Sequence, residues 1–265
     1  METKLSVTIV NYNQKYFPRL CVEALKKSDV DFDFEIIVCD NNSNDESIVF
    51  LKKANADGDI KLVLPGKNLG YGGGHNLAAK QSKGKYILIL NTDITVEPDT
   101  LQKLVDYLDE HNDTGMVGSK LLYHNGEVQK SCRRYFKFFD LFIKRTFLKK
   151  IPPFKKRYEN YIMEDFDHNK TQEVDLITGA FMMMPRKVFD EVGGFDERYF
   201  LFMEDFDLCR KTHNAGYKVV YYPEASSTHY HKRLSDGNLF KLIFNKISWY
   251  HLASAIKYHW KWRNG

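Results

Sequence analysis

The sequence predicts an α/β domain with a mostly parallel central sheet and helices on both faces, followed by a C-terminal helical tail. Three observations predict it. Apolar runs at 7–10, 35–39, 60–64 and 86–90 alternate with helical spacings through the first hundred residues. The run at 86–90, Tyr-Ile-Leu-Ile-Leu, is continuously apolar, as a central parallel strand covered on both faces is. Three of the runs stop at polar clusters: Asn11-Tyr12-Asn13, Asp40-Asn41-Asn42-Ser43 and Asn91-Thr92-Asp93. Ligands of open α/β sheets bind beyond the carboxyl ends of the strands. Those three ends should therefore line one crevice.

The elements follow in order. Leu20, Ala24 and Leu25 set the spacing of a helix over 18–27, and a second helix is predicted over 46–55. Residues 66–74, Gly-Lys-Asn-Leu-Gly-Tyr-Gly-Gly-Gly, read as a flexible turn whose backbone can approach a ligand closely, with a helix over 76–82 after it. Pro98 and Asp99 open a helix that carries Leu101, Leu104, Val105 and Leu108 on one face. A strand over 116–123 leads into a hairpin turn at 124–127. Segment 130–165 is basic and aromatic without a clear period; it reads as a long excursion or a pair of short helices, and loops of that length are usually functional or mobile. Strand character returns over 174–184, broken at Thr178-Gly179-Ala180. A short helix over 185–192, a helix over 205–215, a strand over 218–222 and an amphipathic helix over 240–262 complete the chain. The expected organisation is one catalytic domain over 1–235, with 130–165 as an insertion, and a helical tail over 236–265.

Composition excludes several classes. Cys21, Cys39, Cys132 and Cys209 are scattered, which suggests neither a zinc site nor a disulfide framework and suits reduced thiols. No apolar run approaches the roughly 20 residues that span a bilayer. The N-terminus runs straight into a strand pattern without a basic leader, so a cytoplasmic protein is expected. The net charge of +4 is unevenly placed. Between Lys130 and Arg157 lie Arg133, Arg134, Lys137, Lys144, Arg145, Lys149, Lys150, Lys155 and Lys156, opposed by Asp140 alone. Such asymmetry suggests an anionic partner. The stretch lacks any motif that reads nucleic acid, so nucleic acid is not the expected partner.

Two acidic motifs carry the chemistry. Asp93, directly after a strand, suits a divalent cation held against a diphosphate, although an acid there can also be a turn or cap residue. Glu204-Asp205-Phe206-Asp207 opens a helix, where acids also suit the helix dipole. Transfer to a hydroxyl with inversion needs one carboxylate to take a proton from the attacking group. Asp205 is the candidate base, Glu204 could orient the acceptor, and Asp207 is expected to cap the helix. His229 and His231 follow the last strand, and either imidazole could complete a metal site with Asp93.

These motifs occur in a fixed order: Thr8 to Asn13, Val38 to Ser43, Asn68 to Asn76, Leu90 to Asp93, Thr178 to Ala180 and Phe202 to Leu208. The set resembles family 2 glycosyltransferases, and within them the bacterial rhamnosyltransferase-like branch. The resemblance covers roughly residues 4–235. It implies a GT-A fold, a nucleotide-diphosphate sugar donor (dTDP- or UDP-linked), Mg²⁺ or Mn²⁺, and inversion at the anomeric carbon. It further implies that Val10, Asn11, Tyr12, Asn13, Asp40 and Asn42 surround the base and ribose, with Asn68, Gly70 and Asn76 near the nucleotide. Asn91, Thr92, Gly179 and Ala180 complete the implied donor site. Asp93 and His229 are the implied metal residues and Asp205 the implied base. Asn91 stands where the family's metal triplet carries its first acid, which leaves one carboxylate for the ion. Ser131-Cys132-Arg133-Arg134 also resembles that branch, and its arginines suit phosphates of the donor or of a lipid-diphosphate acceptor.

Trp249, Tyr250, Tyr258, Trp260 and Trp262 intermingle with lysines in the tail. That pattern suits peripheral contact with an anionic membrane at its inner face, and equally a helix packed on the domain with its lysines exposed. The expected acceptor is a glycan, free or on a polyprenyl diphosphate. The rival readings are a sugar-nucleotide pyrophosphorylase, whose basic glycine-rich loop after the first strand is replaced here by Asn11-Tyr12-Asn13, and a non-catalytic glycan- or membrane-binding module.

Overall fold

The computed structural model describes residues 3–135, 139–140, 143, 146–230 and 246–263. The strands are β1 (Leu5–Asn11), β2 (Phe34–Asp40), β3 (Lys61–Val63), β4 (Tyr86–Asn91), β5 (Ile94–Val96), β6 (Thr114–Leu122), β7 (Cys132–Arg133), β8 (Gln172–Glu173), β9 (Leu176–Ile177), β10 (Phe181–Pro185) and β11 (Lys218–His229). The helices are α1 (Phe17–Leu25), α2 (Ser47–Ala56), α3 (Gly70–Lys80), α4 (Thr100–Glu110), α5 (Phe154–Tyr161), α6 (Arg186–Glu191), α7 (Glu204–Asn214) and α8 (Lys246–Lys261). The main sheet runs β3-β2-β1-β4-β10-β6-β11-β5, with β8 beside β11, and β7 pairs with β9 in a small second sheet. β3, β2, β1 and β4 are parallel, and β10 enters antiparallel between β4 and β6.

Alternation along the central strands builds two cores. Val7, Ile9, Leu88, Leu90 and Met183 face α1, α2 and α4 through Leu25, Leu51 and Leu104. Ile87, Ile89, Met182 and Met184 face the other way, onto Val188 of α6 and Leu208 of α7. Ile37 and Cys39 pack on Ala78 of α3. Burial on both faces explains the unbroken apolar runs of the sequence.

Two elements depart from the sequence reading. The glycine run is not a flexible turn: from Gly70 onward it is the first turn of α3. A Cβ on Gly72 would lie 2.8 Å from Phe195 Cβ, and one on Gly74 would lie 2.7 Å from Val10 Cγ2. The glycines thus let a helix press against β1 and the chain after α6. The last strand continues past Pro223 through a register shift between Tyr222 and Ser226. A proline and a bulge hide this continuation from a period-two reading. The extension carries His229 into register with Ile94 of β5.

Helix α8 is docked on the domain. Ala255 and Tyr258 pack with Tyr161, Tyr199 and Met203. The Trp262 indole N–H and the Lys261 ammonium both donate to the fully buried Asp207 at 2.8 Å, and Ser254 Oγ donates to the Leu201 carbonyl at 2.9 Å. Asp207 is therefore not the cap of α7: it lies inside the helix, where burial gives it the tail as partner. Residues 231–245, which include His231, Lys241 and the start of the expected tail helix, lie outside the described residues, as do Lys137, Lys144 and Arg145.

Candidate active site

The register of the parallel strands sets Asn11 opposite Asp40 and Val10 opposite Asn91, so the three polar strand ends share one edge of the sheet. Asn11 and Asp40 are 0% and 1% exposed. Asn11 Nδ2 donates to Asp40 Oδ1 at 2.7 Å, and the Ser43 amide donates to Asp40 Oδ2 at 2.9 Å. These two side chains thus brace the strand ends. The exposed groups at this edge are Tyr12, Asn13 and Asn42, and both asparagines hold left-handed backbone at φ 53° and 64°. Asparagine tolerates that region better than most residues.

Asp93 sits in the turn from β4 to β5, and the Tyr230 amide donates to its carbonyl at 2.8 Å. That clamp brings the end of β11 alongside, with His229 Nε2 3.3 Å from Asp93 Oδ1. On the other side of the ring, His229 Nδ1 lies 2.9 Å from Gln129 Oε1. Gln129 Nε2 donates to the His229 carbonyl at 2.9 Å and to the Leu122 carbonyl at 3.4 Å, which fixes its amide orientation. Nδ1 is then the donor to Oε1. A protonated ring pairs with Asp93 through Nε2, and a neutral ring with its proton on Nδ1 offers Nε2 as a ligand beside the carboxylate. Among the described residues no group of three or more His, Cys, Asp or Glu converges. One carboxylate and one imidazole nonetheless fit a divalent ion that fills its shell with phosphate oxygens and water.

The second acidic motif reaches the same edge through the loop between β9 and β10. The Gly179 amide donates to Asp205 Oδ2 at 3.0 Å, and the Tyr71 hydroxyl donates to the Gly179 carbonyl at 2.5 Å. A Cβ on Gly179 would meet Asp205 Cβ at 3.0 Å, so this position is kept bare by the acid above it. The next residue, Ala180, accepts from the Asn91 amide at 3.0 Å, two residues from Asp93. The Tyr71 hydroxyl is pushed well above its ordinary value by burial first, then by the charges of Glu204, Asp205 and Asp93. The loop carrying Gly179 and Ala180 thus touches both the Asp205 carboxylate and the strand end that leads to Asp93. Glu204 is 5% exposed and its Oε2 has no hydrogen-bond partner. Burial, and then the adjacent Asp205, push its carboxyl well above the usual glutamate range. Phe202 and Met203 immediately before it hold left-handed backbone at φ 69° and 71°. Bulky residues pay strain there, which the packing of Met203 and the contact of Phe202 with His251 hold in place.

A cavity of about 570 Å³ is lined by His229, Gln129, Thr178, Glu204, Asp205 and Arg133 among others; Asp93 is not part of its lining. Tyr158 and Tyr161 of α5 and His251 of α8 close its far side. Arg133 is tied by Nη1 to the Lys130 carbonyl at 2.6 Å. Arg134 does not line the cavity; it is exposed, and its backbone amide bonds to the Tyr161 carbonyl. Asn76 is not brought to the site either. Its amide clamps the Phe195 backbone at 2.9 Å and Glu197 at 3.0 Å, beside a separate cleft. Asn68 Oδ1 accepts from the Gly70 amide at 2.8 Å, which shapes the entry to α3. Gln129, Tyr71 and His251 carry no pattern that would single them out in the sequence.

Comparison with known proteins agrees with this architecture. The profile of Glycosyl transferase family 2 matches residues 6–193. An N-acetylglucosaminyl-diphospho-decaprenol L-rhamnosyltransferase of Mycobacterium tuberculosis is 29% identical over 193 residues, covering 68% of this chain and 61% of its own. This chain thus spans about three fifths of that relative's length. Rhamnosyltransferase WbbL of Escherichia coli K12 is 27% identical over 263 residues, covering 95% of this chain and 91% of its own. Among solved structures, GalNAc-T7 with UDP, GalNAc and Mn²⁺ superposes with a TM-score of 0.73 at 16% identity, over 99% of this chain and 48% of that one. The fold is that of the GT-A glycosyltransferases, and the chain belongs to glycosyl transferase family 2.

Proposed function

We propose that this chain is an inverting glycosyltransferase. It moves L-rhamnose from dTDP-rhamnose to a hydroxyl of a glycan carried on a polyprenyl diphosphate, in the synthesis of cell-surface polysaccharide. The observation that carries the reading is the convergence of Asp205, Glu204 and His229 on one cavity, with His229 Nε2 3.3 Å from Asp93 Oδ1. The names of the two relatives support rhamnose as the sugar, and that of the mycobacterial one supports a lipid-diphosphate acceptor.

In this reading the catalytic unit spans 1–235 and the donor lies along the strand ends. Tyr12, Asn13 and Asn42 meet the base and ribose above the Asn11–Asp40 brace, with Val10, Asn68 and Gly70 shaping the floor. Gly179 and Ala180 flank the sugar beside Asn91 and Thr92. Asp93 and His229 would hold a divalent cation, Mg²⁺ or Mn²⁺, which when bound would supply charge neutralisation for the departing diphosphate. Asp205 takes the proton of the acceptor hydroxyl as that oxygen bonds to the anomeric carbon and the bond to the nucleoside diphosphate breaks. The Gly179 amide holds the base by one oxygen, and Glu204, kept neutral by burial, donates to the acceptor and orients it. Arg133 faces the cavity as the phosphate-binding cation. The chain works at the inner face of the cell membrane, where its acceptor is anchored.

The test is nucleotide release by the purified chain with Mn²⁺ and a short-chain lipid-diphosphate GlcNAc acceptor. Release from dTDP-rhamnose supports the reading, and acceptor-dependent release from a UDP-hexose alone moves the donor to that class. The UDP-bound structural neighbour favours this second donor. No release from any nucleotide sugar contradicts the proposal.

A further inference from the structure

Helix α8 turns two different faces outward and inward. Its inner face is anchored through Ser254, Tyr258, Lys261 and Trp262, and its His251 lines the cavity. A helix docked in this way is expected to show its lysines to solvent. Besides the exposed Lys257, Trp249 (57% exposed), Leu252, Ile256 and Trp260 (62% exposed) form an outward stripe at i, i+3, i+7 and i+11. Residues at that spacing share one helix face. Two bulky indoles so exposed on a rigidly held helix are unusual on a surface facing water alone.

Charge selects the occupant. From Lys232 to the end, the chain carries Lys232, Arg233, Lys241, Lys246, Lys257 and Arg263, besides the Lys261 held inward on Asp196 and Asp207, against the single acid Asp236. Within α8 there is no acid at all, and the Arg263 guanidinium lies 4.8 Å from the Trp260 ring centre, at the end of the stripe. The neighbouring element repeats the pattern. The segment leading into α5, whose Tyr161 shares a cluster with Tyr258, exposes Phe147 and Ile151 beside Lys149 and Lys150. Indoles and aliphatics flanked by cations match the boundary of an anionic lipid leaflet, where the apolar groups enter and the cations meet headgroups.

We infer that the Trp249–Leu252–Ile256–Trp260 face of α8 is a membrane-docking surface for anionic lipid, with the Phe147–Ile151 turn as its second contact. The choice of a lipid surface over a protein partner rests on the lipid-linked acceptor proposed above. Docking by this face sets one wall of the cavity against the bilayer, because the helix that enters the lipid also carries His251.

The experiment uses the full chain and vesicles of phosphatidylcholine alone or with 30 mol% phosphatidylglycerol. The protein has three tryptophans, and Trp262 is bonded inside the fold, so Trp249 and Trp260 report insertion. Co-flotation with anionic vesicles, reduced at least tenfold in W249Q/W260Q and in L252Q/I256Q, is expected, together with a blue-shifted emission that L252Q/I256Q loses. An unchanged melting temperature shows that each variant is folded. Absence of both signals on anionic vesicles overturns the inference. So does a wild-type dimer in sedimentation that the variants convert to monomer, which would assign the stripe to a second copy. The two proposals fail separately. Flotation without turnover of any nucleotide sugar sinks the enzymatic reading alone. Turnover of a short-chain acceptor without flotation sinks the docking surface alone.

Discussion

His229 Nε2 and Asp93 Oδ1 lie 3.3 Å apart although 136 positions separate them in the chain, held by the Tyr230 amide on the Asp93 carbonyl. In the proposed function the pair is the donor set for a divalent cation. Asp93→Asn is expected to lower kcat/KM by about 100-fold or more, the scale of charge stabilisation at a leaving diphosphate. It should also abolish the Mn²⁺-dependent part of the thermal shift given by the nucleotide. A variant that keeps the full metal-dependent shift would place the ion elsewhere.

Gln129 sets the tautomer of His229. Gln129→Leu removes the acceptor for Nδ1–H, so both tautomers become populated and the ring loses its aim. Metal affinity should fall by roughly 10- to 100-fold, the usual cost of losing the partner behind a ligating histidine. Nitrogen NMR of the metal-free protein reads the tautomer directly, without reference to activity. A ring that stays protonated on Nδ1 in the variant would contradict the assignment.

Glu204 makes stability depend on pH. Its carboxyl is raised in the folded protein by burial and by Asp205, so the folded state holds a proton that the unfolded chain releases. The stabilisation is complete below the unfolded glutamate value, about 4.3, and is lost as pH rises from there toward the raised folded value. Glu204→Gln carries no such proton and should melt higher than the wild type at pH 8, with the difference shrinking toward pH 4. Thermal melts across that range check it; parallel curves would mean that Glu204 ionises normally.

Asp207 is the buried anchor of the tail. Its replacement by alanine leaves the Trp262 indole N–H without its acceptor and Lys261 with Asp196 alone. Breaking a buried charge pair costs about 3–5 kcal/mol. Asp207→Ala should lower the melting temperature and open α8 to proteolysis before the rest of the domain. Uniform protection of both parts would show that the apolar contacts of Tyr258 suffice.

Much of this was legible in the sequence because burial writes a local pattern. The four parallel strands and their polar ends follow from apolar runs that stop at Asn11, Asp40 and Asn91. The glycine run was legible as a close approach but not as a helix, because the neighbour it accommodates, Phe195, is more than 120 residues away. The extension of β11 was hidden by Pro223. Asn76 carries the family motif, yet its amide is spent on the Phe195 backbone. Gln129, Tyr71 and His251 were invisible, because each acts through one contact with a distant element and leaves no periodic trace.

The account depends most on Asp205 serving the same reacting centre as the Asp93–His229 pair. The direct measurement is single-turnover transfer by Asp205→Asn, with donor binding measured on the same sample. Loss of the group that takes the acceptor proton predicts a fall of about 100- to 10,000-fold in the transfer rate with the donor Kd unchanged. A variant that retains more than about a tenth of the wild-type rate, or that loses donor binding instead of turnover, would contradict it.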